Sequence, residues 1–276
     1  MKFKIILDSS SNMKKDDIKS DNVSLDIAPL TVHVAGKDYV DDGTSTRREV
    51  LDALNATKEK STSSCPAPYA YLSKMTDADY YIIITLSSKL SGSYNSALVA
   101  KNSFSDPDKV LVIDSKLVAG SMELIAREAF KLINEGKSFE DISKELISFT
   151  DNMQLLFVLN KFDNFVKSGR VNRIVGFLAS KLLIKPLCIG EDGEIKIKEK
   201  VRTIEGVLKR LVINIGKLIP ETKGRNCIIS ETDNQKGAEW LKNEIEKQYH
   251  FDSVTIRENN VLCSFYALEG GIIVCF

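Results

Sequence analysis

The sequence predicts an α/β protein in two parts, an N-terminal open, mostly parallel sheet followed by a C-terminal α+β unit. Two unbroken apolar runs, YYIIITL at 80–86 and VLVI at 110–113, have the composition of strands covered on both faces. Each is followed by helical signals, the alternation expected of a parallel sheet flanked by helices. Beyond residue 155 the pattern changes, and a hairpin signal enters among the strands and helices.

Taken in order, Phe3 to Leu7 reads as the first strand, and Ile27 to Val34 as a second, interrupted by Pro29 and so suited to an edge. Tyr80 to Leu86 and Val110 to Ile113 follow, with Tyr94 to Lys101 continuing as a helix between them. A helix from about Ser121 carries Met122, Ile125, Ala126, Ala129, Leu132 and Ile133 on one face and stops at Gly136. Ser138 then caps a helix bearing Ile142, Leu146 and Phe149. The second part opens with a strand at Leu155 to Leu159 and a helix at Ile174 to Leu183. Pro186 to Lys198 reads as a hairpin turning at Glu191-Asp192-Gly193. A helix from Val201 to Leu218, a strand from Cys227 to Ser230, a helix from Gly237 to Gln248 and strands at Ser253 to Arg257 and Gly271 to Phe276 complete the chain. These patterns place a domain boundary near residue 155, dividing the chain into 1–154 and 155–276.

Composition narrows the function. In 276 residues, 38 basic side chains balance 38 acidic ones, so no global field gathers nucleic acid or an anionic membrane. The five cysteines, Cys65, Cys188, Cys227, Cys263 and Cys275, form no CxxC pair and read as reduced, mostly core thiols. With His33 and His250 as its two histidines, both outside the serine-rich loops, the chain is poorly equipped for a zinc site or a serine–histidine pair. We therefore expect no metal, no cofactor and no catalytic residue. MKFKIILD begins as a charged strand rather than a signal segment, and no apolar stretch approaches the roughly 20 residues that span a bilayer. A cytoplasmic location is the expectation.

Hydroxyls concentrate where the predicted strands end. LSSKLSGSYNSA, at 86–97, follows the most apolar run, and its Ser91-Gly92-Ser93 amides would stand at a helix N-terminus, where an anion is favoured. Gly92 permits close backbone approach, and Ser91 and Ser93 can donate. By spacing alone this segment is also an ordinary serine-rich cap. Asp8-Ser9-Ser10-Ser11, Asp114-Ser115 and STSSCPAP at 61–68 add hydroxyls on the same predicted rim. Together they suggest a crevice lined by neutral donors, with no base placed to make a serine nucleophilic. GxSxG, Walker and GxGxxG motifs are absent, which favours binding over chemistry.

Eight segments, in order, resemble the DegV proteins, a family that includes the fatty-acid-binding subunits of bacterial fatty acid kinase. They are IILDSSSNM at 5–13, IAPLTVHVAGKDYVDDG at 27–43, SSCPAP at 63–68, LSSKLSGSYNSA at 86–97, VLVIDS at 110–115, FVKSGRV at 165–171, LLIKPL at 182–187 and EKVRT at 199–203. The resemblance implies a two-domain DegV-like fold that buries one long-chain fatty acid with its carboxylate near the hydroxyl loops. It makes Ser91 a carboxylate donor beside Gly92, and matches the family's Thr-Ser-Gln-Pro loop to Ser63-Ser64-Cys65-Pro66. Ser63 then stands for the threonine, with Thr62 the alternative if the loop slips by one residue. Arg170 and Arg202 match arginines that look outward and are implicated in work with a separate ATP-dependent kinase subunit. The implied role is a non-catalytic subunit of phospholipid metabolism that presents the carboxylate for acyl phosphate formation. A lipid carrier or sensor without a kinase, and a serine-dependent hydrolase, are the alternatives.

The chain departs from the family pattern near its end. Tyr266 in FYALEGG stands where the family carries a histidine near the carboxylate, and Glu269 stands where proline is expected. Tyrosine retains a donor. Glu231-Thr232-Asp233-Asn234 replaces a His-Gly-Asp-Asn-like segment.

Overall fold

The computed structural model describes residues 1–170 and 184–276. The helix expected at 174–183 lies outside the described residues. Strands β1 (Phe3–Asp8), β2 (Val23–Ala28), β6 (Tyr80–Thr85) and β7 (Val110–Asp114) form a sheet in the order β2-β1-β6-β7, with every pairing parallel. Its central strands are buried on both faces, which is why their sequences run apolar without alternation.

Between β2 and β6 the chain builds a small antiparallel sheet from β3 (Thr31–Val34), β4 (Lys37–Val40) and β5 (Thr62–Ser64), ordered β4-β3-β5. This corrects the reading of Ile27 to Val34 as one interrupted strand: the chain leaves one sheet at Ala28 and enters another at Thr31. Pro29 has no N–H to continue the ladder, and the Leu30 amide turns to the Ser9 hydroxyl at 3.0 Å. The edge position expected of this segment does hold for β2.

The second part forms a mixed sheet from β8 (Leu155–Val158), β9 (Lys185–Glu191), β10 (Glu194–Val201), β11 (Asn226–Glu231), β12 (Ser253–Glu258) and β13 (Ile272–Cys275). Its order is β10-β9-β8-β13-β11-β12, antiparallel except for the β11–β12 pair. The β9–β10 hairpin turns through Asp192 and Gly193, both at positive φ, as a two-residue turn requires.

Helices cover the sheets. They are α1 (Arg47–Ala56), α2 (Pro68–Leu72), α3 (Ser93–Ser103), α4 (Gly120–Asn134), α5 (Phe139–Asp151), α6 (Asp163–Lys167), α7 (Ile204–Leu218), α8 (Gln235–Gln248) and α9 (Val261–Ala267). Ser138 caps α5 through the Asp141 amide, and Thr203 caps α7 through the Gly206 amide. Helices α1, α2, α6 and α9 were not anticipated from the sequence.

One apolar cluster joins the two sheets. Ile5, Ile82 and Ile84 of the parallel sheet share it with Leu155, Phe157 and Ile228 of the mixed sheet, and α4 runs between them. The N-terminal turn of α4 lies so close to β11 that a Cβ on Gly120 would sit 2.7 Å from Ile228 Cγ2. Gly120→Ala should therefore lower the unfolding free energy by about 1–3 kcal/mol, the range for overpacking a full core. Urea unfolding checks it; an unchanged midpoint would show that α4 can back away from β11 without loss.

Candidate functional site

A cavity of about 280 Å³ lies between the carboxyl ends of the parallel strands and the inner face of the mixed sheet. Ligands bind at this position in open parallel sheets, because loops leaving the strands diverge there. Leu30, Leu86, Leu117, Leu155, Phe157 and Ile273 give it apolar walls. The charged residues on its lining are Lys116, Arg170 and Glu194, and Lys116 is paired with Asp151 at 2.7 Å.

Hydroxyls gather where three segments meet. Strand β5 carries Ser63, whose Oγ lies 2.8 Å from the Tyr266 hydroxyl on α9. The Tyr266 ring is held by Phe165 and Phe265, with centroids 4.6 and 4.7 Å away. From the loop before α3 comes Ser91, which accepts the Ser93 amide at 3.2 Å and lies 3.0 Å from the Ser93 hydroxyl. Gly92 keeps this contact close: a Cβ at that position would stand 3.0 Å from Cys65 Sγ, and the thiol would have to shift by a few tenths of an ångström. The missing side chain lets the β5 loop and the α3 N-terminus meet. Ser63 and Ser91 line the cavity, while Thr62 is paired with His33 across the β3–β5 ladder.

The two arginines occupy different places. Arg170 does not look away from the cavity as expected; it lines it, and its Nε donates to the Leu90 carbonyl at 3.4 Å and its Nη1 to the Ser168 carbonyl at 2.8 Å. Arg202 is exposed, just past the end of β10.

Two of the expected hydroxyl clusters do not reach the cavity. Ser9, Ser10 and Ser11 are buried, and Ser10 Oγ donates to Asp8 at 2.5 Å. The Ser115 hydroxyl donates to the Leu117 carbonyl, and Asp114 accepts the Ser88 and Lys116 amides. Both clusters spend their polar groups on loop closure. The replacement segment at 231–234 is also structural: Glu231 accepts the Asn234 amide, and Arg47 reaches Glu231, Asp233 and Glu258 at 3.6, 3.3 and 3.2 Å.

The placement of His33 overturns another expectation. It lies against the STSSCPAP loop, with Nε2 3.0 Å from Ser64 Oγ and Nδ1 2.6 Å from Asp38 Oδ1. The β3–β5 pairing, between segments 31 residues apart, produces this contact. Half of it was legible: Ala35-Gly36 is a two-residue turn, which places His33 opposite Asp38.

Two buried carboxylates frame the site. Asp8 accepts the Leu86 amide at 2.8 Å and fixes the loop leaving β6. Asp41 accepts the Val261 and Leu262 amides at 3.1 and 3.2 Å and so caps α9, the helix that carries Tyr266. Loss of water raises each of them to about 6 against their hydrogen bonds. Four of the five cysteines are buried, and Cys65, on the cavity wall, is half-buried. Among the described residues, no helix is long and apolar enough to cross a membrane. Nor does any group of three or more His, Cys, Asp or Glu there stand ready to hold a metal ion.

A parallel α/β sheet joined to a mixed sheet over an apolar, hydroxyl-bearing cavity defines a class of small-molecule-binding fold, and comparison gives it a family. Residues 2–276 match the family model described as "Uncharacterised protein, DegV family". A DegV domain-containing protein of Streptococcus pneumoniae is 32% identical over 99% of this chain and 98% of its own length. The chain belongs to the DegV family. In structure it is similar to the S. pneumoniae fatty acid kinase B3 protein loaded with linoleic acid, with a TM-score of 0.93 and 31% identity over 100% of this chain and 99% of that one. It is also similar to a Ruminococcus gnavus DegV-family protein with vaccenic acid, with a TM-score of 0.92 and 25% identity over 99% of each chain.

Because Asp8 and Asp41 are raised from 3.8 to about 6, the folded protein binds protons more readily than the unfolded chain between those values. Their stabilising contribution is full below 3.8 and lost as pH rises through 6. Glu199, lowered to about 2 chiefly by its hydrogen bond to Arg210, acts in the opposite sense, but only as pH falls below its ordinary value of 4.5. Unfolding free energy should therefore rise as pH falls from 8 to 5, and Asp41→Asn should flatten that slope. Urea titrations at stepped pH test this, and a monotonic loss of stability over the interval would contradict it.

Proposed function

We propose that this protein binds a long-chain fatty acid in the apolar cavity and presents its carboxylate to a separate ATP-dependent kinase subunit for acyl phosphate formation. The observation that carries the reading is the contact of Ser63 with Tyr266, together with Ser91 on the same cavity, whose walls are otherwise mainly apolar. An acyl chain of about 14 methylenes, at roughly 0.8 kcal/mol each, gives about 11 kcal/mol of transfer driving force before ordering costs. Affinity can thus come from the tail, leaving the hydroxyls to orient the head group. Neutral donors suit a carboxylate that must later act as a nucleophile, because a tight ion pair would blunt it. The fatty acids named for the two structural relatives support the ligand class.

In this reading Ser63, Ser91 and Tyr266 donate to the carboxylate, and Gly92 lets the backbone approach it. Arg170, at the cavity, contacts the acyl phosphate as it forms, and exposed Arg202 contacts the kinase. The planar fork of an arginine matches phosphate or carboxylate in a way lysine does not.

Protein expressed in bacteria should carry a long-chain fatty acid, detectable by mass spectrometry of the denatured chain. Finding none, together with no binding of added palmitate or oleate, would remove the reading. Ser63→Ala, Ser91→Ala and Tyr266→Phe should each weaken fatty acid binding by about 1–3 kcal/mol, since each deletes a donor to a charged acceptor. Fatty alcohols should be less affected.

Arg202→Ala should leave bound fatty acid unchanged while lowering acyl phosphate formation in an assay with ATP, magnesium and a cognate kinase subunit. Full phosphorylation by this variant and by Arg170→Ala would describe a lipid carrier instead.

A further inference from the structure

We propose that Ser64, His33 and Asp38 form an acyl-transfer relay at the edge of the cavity, giving the protein hydrolytic activity toward long-chain acyl esters and thioesters. The proposal rests on the fatty acid reading above, because the same cavity would hold the acyl chain.

Three observations support it. First, the groups connect in the order an activated serine needs: Asp38 Oδ1 lies 2.6 Å from His33 Nδ1, and His33 Nε2 lies 3.0 Å from Ser64 Oγ. A carboxylate on Nδ1 holds the proton there and leaves the Nε2 lone pair facing the hydroxyl, the tautomer of a general base. Second, Ser64 lines the cavity and is the chain neighbour of Ser63, which meets Tyr266. Successive side chains of β5 point to opposite faces, so the Ser64 hydroxyl and His33 stand across the strand from Ser63, and an acyl carbonyl must reach them around the strand end, where Ser64 lines the cavity. Third, the relay is open to solvent, with His33 36% and Asp38 68% exposed. An ester, unlike a free acid, carries a leaving group beyond its carbonyl, and this side of the site gives it an exit.

The chemistry closes without a cofactor. Ser64 Oγ forms a bond to the acyl carbon as its proton passes to His33 Nε2. The bond from that carbon to sulfur or oxygen then breaks, and the leaving group takes the proton from His33. Water next attacks the acyl-serine, gives a proton to His33 and releases the fatty acid, and that proton restores Ser64. The product is the carboxylate that Ser63, Ser91 and Tyr266 would hold.

The test uses the full chain freed of co-purified fatty acid, with p-nitrophenyl laurate, p-nitrophenyl acetate and a dodecyl fluorophosphonate, and measures rebinding of oleate in every preparation. Wild type should release p-nitrophenolate from the laurate ester faster than from the acetate, and the fluorophosphonate should attach to Ser64. Ser64→Ala and His33→Gln should lower the protein-dependent rate about 100-fold, the low end for acid–base catalysis, as suits an exposed relay. His33→Gln should also abolish labelling while retaining oleate binding, and Asp38→Asn should give an intermediate rate. Oleate binding with no ester turnover, or with label on Ser63 or Ser91, overturns the relay and leaves the binding reading standing. Turnover of acetate as fast as laurate overturns its link to the cavity. Loss of fatty acid binding in wild type removes both.

Discussion

Asp41 holds the site together. Its carboxylate accepts the first amides of α9, and that short helix carries Tyr266 to Ser63 and Phe265 into the core. Asp8 does the corresponding work for the loop leaving β6, where Ser91 and Gly92 stand. Each carboxylate is buried and satisfied by backbone donors, so the two loops have fixed positions before any ligand is considered. The cost is visible in their raised proton affinities. These two buried carboxylates thus serve the scaffold, and the hydroxyls of Ser63, Ser91 and Tyr266 are left on the cavity wall.

That division limits what the cavity can recognise. A wall of leucine, isoleucine and phenylalanine rewards apolar length and discriminates weakly among tails of similar shape. Hydroxyls add direction, because each donates along one line and Tyr266 is fixed by two neighbouring rings. Arg170 supplies positive charge at the cavity, but its Nε and Nη1 already donate to backbone carbonyls. Its guanidinium is thereby oriented without being neutralised by a carboxylate in those contacts.

Much of the fold was legible because long elements declare themselves. The runs at 80–85 and 110–114, the α4 stripe, the Ser138 cap and the Asp192-Gly193 turn all appear where the residues place them. Short elements do not: β5 has three residues and α9 seven, too few for a period to emerge. Pro29 signalled a break in pairing but could not say that the chain was changing sheets. For the site, Ser91 stood out as a hydroxyl at the end of an apolar strand, whereas the roles of Ser63 and Tyr266 came from a likeness in sequence order, and their contact spans 203 positions. The clusters at Ser9 and Ser115 misled because a hydroxyl closing a loop and one facing a ligand look alike in one dimension.

The close seat of α4 on β11 bears on how such a chain can change over generations. Because Gly120 and Ile228 meet without room for a methyl group, and Ile5, Ile82, Phe157 and Val261 belong to one apolar cluster, the inner faces of the two sheets share an interior, while each outer face packs its own cluster against its own helices. A drift in side-chain volume on one side must be answered on the other. The gene can accept new loops at its surface, but exchanging its front or back half with that of a distant relative would graft together surfaces shaped against different partners. The two sheets are inherited as one object, although the chain reads as two.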